Sequence, residues 1–124
     1  MLNITDLQVA IDVDAGMIRA IDGLSLCIER GETFALVGES GCGKSVTALA
    51  LMRLLPDNAR VTEGRVEIDG QEALSLPESA MRRLRGGKVG MIFQEPATSL
   101  NPVMRIGDQI VEAMATGLSA EAAA

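Results

Sequence analysis

Residues Gly38-Glu39-Ser40-Gly41-Cys42-Gly43-Lys44-Ser45 place glycine, lysine and a hydroxyl at the spacing G-x-x-x-x-G-K-[ST]. A loop of that pattern wraps a chain of phosphates in backbone N–H groups. Gly38, Gly41 and Gly43 allow backbone conformations that a Cβ forbids and let phosphate oxygens approach closely. Lys44 supplies a mobile point charge for β- and γ-phosphates, and the Ser45 hydroxyl is the expected Mg²⁺ ligand. The candidate contacts are therefore Gly38, Glu39, Ser40, Gly41, Cys42, Gly43, Lys44, Ser45 and Val46. The blander alternative is a glycine-rich turn that happens to hold a lysine. It leaves the flanking elements unexplained.

Those elements have to hold the loop open. Upstream, Thr33-Phe34-Ala35-Leu36-Val37 is an unbroken apolar run, as expected of a strand buried on both faces of a parallel sheet. Downstream, Val46 to Leu55 reads as a helix closed by Pro56. Its first N–H groups and the positive end of its dipole favour an anion. Val46, Leu49, Ala50, Met52 and Leu54 are apolar nearly all round, which predicts a helix buried on several sides.

Before the loop, Leu2 to Asp14 reads as a strand with Leu7, Val9 and Ile11 alternating against Asp6, Gln8 and Asp12. Ala15-Gly16 is a turn, and Ile18 to Glu29 continues as strand with Leu24, Leu26 and Ile28 on one face. Together residues 1–30 predict an antiparallel layer. Val9-Ala10-Ile11-Asp12 imitates an apolar strand ending in a metal-holding Asp, but its alternation predicts a half-exposed outer strand. After the helix, Val66 and Ile68 alternate with Glu67 and Asp69, and Asp69-Gly70 marks a turn. Glu78 to Arg85 predicts a short helix stopped by Gly86-Gly87, its basic run Arg82-Arg83-Leu84-Arg85 suiting a helix C-terminus. Lys88 to Phe93 predicts another short strand, delivering Gln94-Glu95-Pro96 to a loop. Asn101-Pro102 opens a turn, and Ile106, Ile110 and Met114 recur at helical spacing with Asp108 in the first turn.

Composition narrows the function classes. At 48% hydrophobic and 23% charged residues the chain is globular, and 124 residues suffice for one domain. A net charge of −6 argues against nucleic acid as a main partner. Phe34 and Phe93 are the sole aromatics, too few for base-stacking platforms. Cys27 and Cys42 make no disulfide framework. Cys27, amid Leu24, Leu26 and Ile28, is expected to be a buried small hydrophobe. Cys42 is either a neutral loop residue or a redox- and alkylation-sensitive one. The first residues show no basic and apolar leader pattern, and no apolar run reaches the roughly 20 residues of a bilayer span.

The phosphate loop followed by Val89-Gly90-Met91-Ile92-Phe93-Gln94-Glu95-Pro96 resembles the ATP-binding subunit of an ABC transporter. The segment Ala97 to Ile110, containing Ser99-Leu100-Asn101-Pro102, narrows the resemblance to the oligopeptide/dipeptide importer branch, which includes nickel and glutathione importers. Ala20 to Ser25 and Arg30-Gly31-Glu32 fit the same branch. The resemblance implies an α/β fold with a P-loop NTPase core of ABC ATPase type and an N-terminal antiparallel β layer, its C-terminal half missing. It divides the chain into that layer (1–30), the phosphate-loop core (31–96) and the start of a helical subdomain (97–124). ATP and Mg²⁺ are the implied ligands.

On the same resemblance Lys44 and Gln94 are the catalytic candidates. Gln94 is the Q-loop glutamine, touching Mg²⁺ beside Ser45 and orienting the attacking water. The implied partners are transmembrane permease subunits, met through the Q-loop region, a second ATP-binding subunit and, indirectly, a solute-binding protein; no nucleic acid is implied. The implied place is peripheral, on the cytoplasmic face of the cell membrane. The family's L-S-G-G-Q segment, its Asp-Glu strand and its switch histidine are absent from these 124 residues. The expectation is therefore a truncated chain that binds nucleotide weakly and does not hydrolyse it alone. The alternatives are a non-catalytic nucleotide-binding fragment and a free-standing phosphate-loop kinase or GTPase; the last does not account for Phe93 to Ile110. An adenine-stacking aromatic near Ile11 is also missing, leaving Met17 or Ile18 to offer apolar contact.

Overall fold

β1 (Leu2–Val13) is the spine of a four-stranded antiparallel sheet, with β2 (Gly16–Ile28) on one side and β3 (Ala59–Ile68) on the other. A short β4 (Gln71–Glu72) pairs with β3, giving the order β2-β1-β3-β4. The computed structural model describes residues 1–93 and 100–121. They fall into two compact units, Met1–Leu76 and Pro77–Ala124.

In the first unit the sheet buries Ile4, Leu7, Val9, Val66 and Ile68. Helix α1 (Lys44–Leu51) contacts β2 and β3, and Ala50 and Met52 are buried with the core. The predicted alternation of β1 does not run through unbroken. Its pairing slips between Ile4 and Leu7, between Leu7 and Gln8 and between Val9 and Ala10. Each bulge resets which face a side chain meets, so Ala10 is buried while Ile11 is only half-buried. Gly64 of β3 lies against this irregular stretch at φ 101°; a Cβ there would stand 2.5 Å from the Asp6 carbonyl oxygen and the Leu7 Cα. Asp69-Gly70 forms the expected turn, with both residues at positive φ (49° and 77°), the signature of a two-residue hairpin. The Asp69 carboxylate takes the Met1 ammonium at 2.9 Å and the Arg30 guanidinium at 3.3 Å, and the Asp69 N–H donates to the Met1 carbonyl at 2.9 Å.

The second unit holds α2 (Glu78–Gly87), which buries Met81 and Leu84, and α3 (Ile106–Glu121), which contacts it. Gln109 pins the turn before α3. Its side-chain oxygen accepts from the Asn101 N–H at 2.9 Å, and its amide donates to the carbonyls of Asn101 and Met104 at 3.1 and 3.2 Å.

Several sequence expectations need correction. Thr33–Val37 forms no ladder: among the described residues no strand lies beside it, and Val37 is 89% exposed. An apolar run encodes a wish for burial, but a strand exists through its neighbours. Lys88–Phe93 likewise joins no ladder among the described residues, leaving Ile92 and Phe93 exposed. Cys27 is exposed, because it alternates out of phase with Leu24, Leu26 and Ile28. α1 starts two residues earlier than expected and stops at Leu51, where Arg53 turns left-handed (φ 52°) and the Leu54 N–H closes on Leu49. Its cover is partial, with Thr47, Ala50 and Met52 buried and Leu54 exposed. α2 runs through Gly86 and Gly87 and ends where the Lys88 and Val89 N–H groups share the Leu84 carbonyl.

Candidate functional site

Gly43 decides the geometry at the start of α1. It is the N-cap residue, in the left-handed region at φ 94°, with no side chain capping the helix and no acidic residue in the first turn. The first N–H groups of a helix have no partner within it. Here they are left to whatever anion approaches. Gly43 is also pressed against β2: a Cβ on it would stand 2.7 Å from the Ala20 carbonyl oxygen. Gly41 is left-handed too (φ 83°), and a Cβ on Gly38 would stand 2.5 Å from the Cys42 Sγ. The loop therefore has the room that glycine creates and no other residue can keep.

Lys44 folds back over its own loop. Its Nζ donates to the Gly38 carbonyl at 2.7 Å and to the Glu39 carbonyl, and lies 3.4 Å from the Cys42 Sγ. The Cys42 N–H returns to the Glu39 carbonyl at 3.3 Å. Glu39, Ser40, Gly41, Cys42 and Ser45 are exposed, whereas Lys44 and Val46 are half-buried. A cleft of about 340 Å³ opens beside this loop, between Ala20–Leu24 of β2 and Cys42, Gly43, Lys44 and Thr47. A second groove of about 250 Å³ runs under α1 and is apolar, lined by Leu26, Ile28, Phe34, Leu36 and Leu51 among others.

The structure gathers the loop residues into one cradle. Gln94 lies outside the described residues. Met17 and Ile18 are exposed at the tip of the β1–β2 hairpin, 57% and 54% accessible, opposite Asp12 and Ile11. Arg60 binds the Asp12 carboxylate and approaches the Met17 Sδ at 3.6 Å. That ion pair occupies the Asp of the Val9–Asp12 run, and the expected half-exposed outer strand is corrected: β1 is paired on both sides, by β2 and β3, with Val9 and Ala10 fully buried. Thr47 is the site residue that sequence reasoning missed. Its hydroxyl donates to the Gly43 carbonyl at 2.9 Å from a buried position. A hydroxyl on an otherwise apolar helix face, four residues after the last loop glycine, was the available clue.

A family model described as ABC transporter matches residues 21–124. This chain belongs to the ABC transporter family. It is 44% identical over 115 residues to the dipeptide transport ATP-binding protein DppD of Bacillus subtilis. It is 46% identical over 114 residues to the oligopeptide transport ATP-binding protein OppD of Escherichia coli. Each match covers 92% of this chain and 34% of the relative, so the chain spans about a third of the length of these ABC proteins. Among solved structures, the dimeric bacterial ABC transporter cassette MJ0796 superposes with a TM-score of 0.72 at 27% identity, over 84% of this chain and 42% of that one. A second structure of MJ0796, bound to ADP and Pi, superposes at 0.68 and 22% identity, over 92% of this chain and 54% of that one, and shares the fold. The fold is thus the N-terminal part of an ABC ATPase cassette, an antiparallel sheet with helices.

Proposed function

We propose that this chain is the phosphate-gripping part of the ATP-binding, ATP-hydrolysing subunit of an ABC importer for peptides or related small solutes. The carrying observation is the uncapped start of α1, where left-handed Gly43 and the charge of Lys44 meet at one glycine-lined loop. The names of the relatives, dipeptide and oligopeptide transport ATP-binding proteins, support the solute class. Gly38 to Val46 form the cradle for ATP, with Lys44 leaving its loop carbonyls for the phosphates. A bound Mg²⁺ would neutralise phosphate charge, and Ser45 is the protein ligand we assign to it. Among the described residues no group of three or more His, Cys, Asp or Glu could hold a metal. The other ligands would be phosphate oxygens and water, which suits Mg²⁺.

Gln94 is assigned the Q-loop role, orienting water and facing the permease subunits. Residues 31–96 then act as the phosphate-loop core and 97–124 as the start of the helical subdomain. A second ATP-binding subunit faces the loop, as dimerisation of the MJ0796 cassette suggests, and a solute-binding protein acts at one remove. No helix of the described residues is long and apolar enough to cross a membrane, and we place the chain peripherally at the cytoplasmic face, held there by its partners.

These 124 residues hold no histidine and no L-S-G-G-Q segment. On this reading they grip nucleotide weakly and do not turn it over alone. The test is titration of Mg·ATP into the chain and into Lys44→Ala, with phosphate release followed in parallel. Saturable binding lost in the variant, without phosphate release, is expected. A folded chain that ignores Mg·ATP overturns the nucleotide reading, while release abolished by Lys44→Ala overturns the inactivity.

A further inference from the structure

We infer that Thr47 is a positioning residue of this site: by holding the Gly43 carbonyl, its hydroxyl aims the Lys44 main-chain N–H at the bound phosphate. The inference rests on the phosphate reading above and adds a residue that the loop pattern does not contain.

Thr47 is 6% exposed, a polar side chain inside the apolar core of the first unit. Two donors of this one residue converge on one acceptor. The hydroxyl reaches the Gly43 carbonyl oxygen at 2.9 Å and the Thr47 N–H reaches the same oxygen at 2.8 Å. A carbonyl has two lone pairs, so this one is fully engaged. The peptide between Gly43 and Lys44 is trans and planar, which makes its C=O and N–H point in opposite directions. Fixing the oxygen toward the helix body fixes the Lys44 N–H outward, away from the helix and into the loop. That N–H is the first of the helix, and no side chain caps it.

The other side of the same peptide is held as firmly. Gly43 sits at φ 94° with its Cα against the Ala20 carbonyl of β2. One plane is therefore clamped between a strand and a hydroxyl. Packing alone does not call for that hydroxyl, since valine has the same shape and no polar atom to satisfy. A buried threonine in a helix commonly bonds the carbonyl four residues back merely to satisfy itself. Here that carbonyl belongs to the peptide whose N–H faces the site, and this is what turns a local bond into an aiming device.

The test compares Thr47→Val, which keeps the shape and loses the hydroxyl, with Thr47→Ser, which keeps the hydroxyl and loses a methyl. Mg·ATP affinity and Tm are read for each variant of the 124-residue chain. Aiming predicts about fivefold weaker binding in Thr47→Val with Tm held or raised, and near-parental affinity in Thr47→Ser although its Tm falls. A merely structural threonine predicts the reverse order, with affinity following Tm, and that result overturns the inference. A second measurement needs no nucleotide. The backbone amide resonances of Gly43 and Lys44 should move in Thr47→Val and stay in place in Thr47→Ser; resonances unmoved in Thr47→Val overturn it as well. If the parental chain does not bind Mg·ATP, the phosphate reading fails on its own, and the amide resonances still decide whether Thr47 orients the peptide.

Discussion

The Lys44 Nζ stands 2.7 Å from the Gly38 carbonyl oxygen and also donates to the Glu39 carbonyl, so the loop's one lysine ties down the first residues of the same loop. A phosphate chain entering the cradle must draw the ammonium away from those carbonyls. On the proposed function, the loop is thus held closed by the charge that a phosphate ligand needs. Lys44→Ala should loosen it before any nucleotide is present. Hydrogen exchange of the Gly41 to Gly43 amides should speed up by about tenfold, the size expected from losing bonds to a charged donor near the surface. Unchanged exchange would show that the lysine contributes nothing to loop order.

Gly64 tests the bulged centre of the sheet. Gly64→Ala places a methyl 2.5 Å from the Asp6 oxygen and the Leu7 Cα at a backbone angle of 101°. Loss of more than about 2 kcal/mol is expected. Gly70→Ala has open space at φ 77°, and should cost about 1 kcal/mol. Thermal melts of the two variants check the order; equal Tm values would contradict it.

Phe34, Leu36 and Val37 form an exposed apolar run with no ladder partner among the described residues. Such a segment, uncharged and rich in strand-forming residues, favours association between chains. Sedimentation should show oligomers at micromolar concentration, shifted toward monomer by Val37→Lys. A monomeric parent would dismiss the idea.

The Cys27 thiol, though exposed, is raised above its ordinary value of 9.0 by desolvation and then by the Glu29 carboxylate, whose oxygen lies 3.8 Å from the sulfur. Its alkylation should therefore lag at neutral pH and rise only above pH 9, with Glu29→Gln moving the profile down. The linkage runs the same way. A thiol whose folded pKa is raised favours the fold below the unfolded value, and that small contribution fades as pH climbs through the folded pKa. A Cys27 profile centred below 9.0 would contradict this.

How much of this could be read from residues alone varies with the kind of interaction involved. The glycine-rich loop leading into α1, the β1–β2 hairpin and the Asp69-Gly70 turn depend on local chemistry, and their residues announced them. Thr33–Val37 failed because its apolarity reports a demand for neighbours and not their presence. Cys27 was misplaced by reading an apolar neighbourhood and overlooking odd and even positions. Ile11 lost its expected face to bulges that no periodicity rule foresees, since they arise from how β1 pairs with β2. Thr47 and Gln109 went unnoticed because their value lies in which carbonyl they reach. For Gln109 those are the Asn101 and Met104 carbonyls, several residues back across a turn.

The doubly occupied carboxylate of Asp69 has a practical corollary at the bench. It holds the amino group of Met1 beside the Arg30 guanidinium, and the same residue's main chain grips the Met1 carbonyl. Fusing an affinity tag to that end would replace a charged amine with a neutral amide beside the β3–β4 hairpin. Handles for purification or labelling are therefore best kept away from the Asp69 contact.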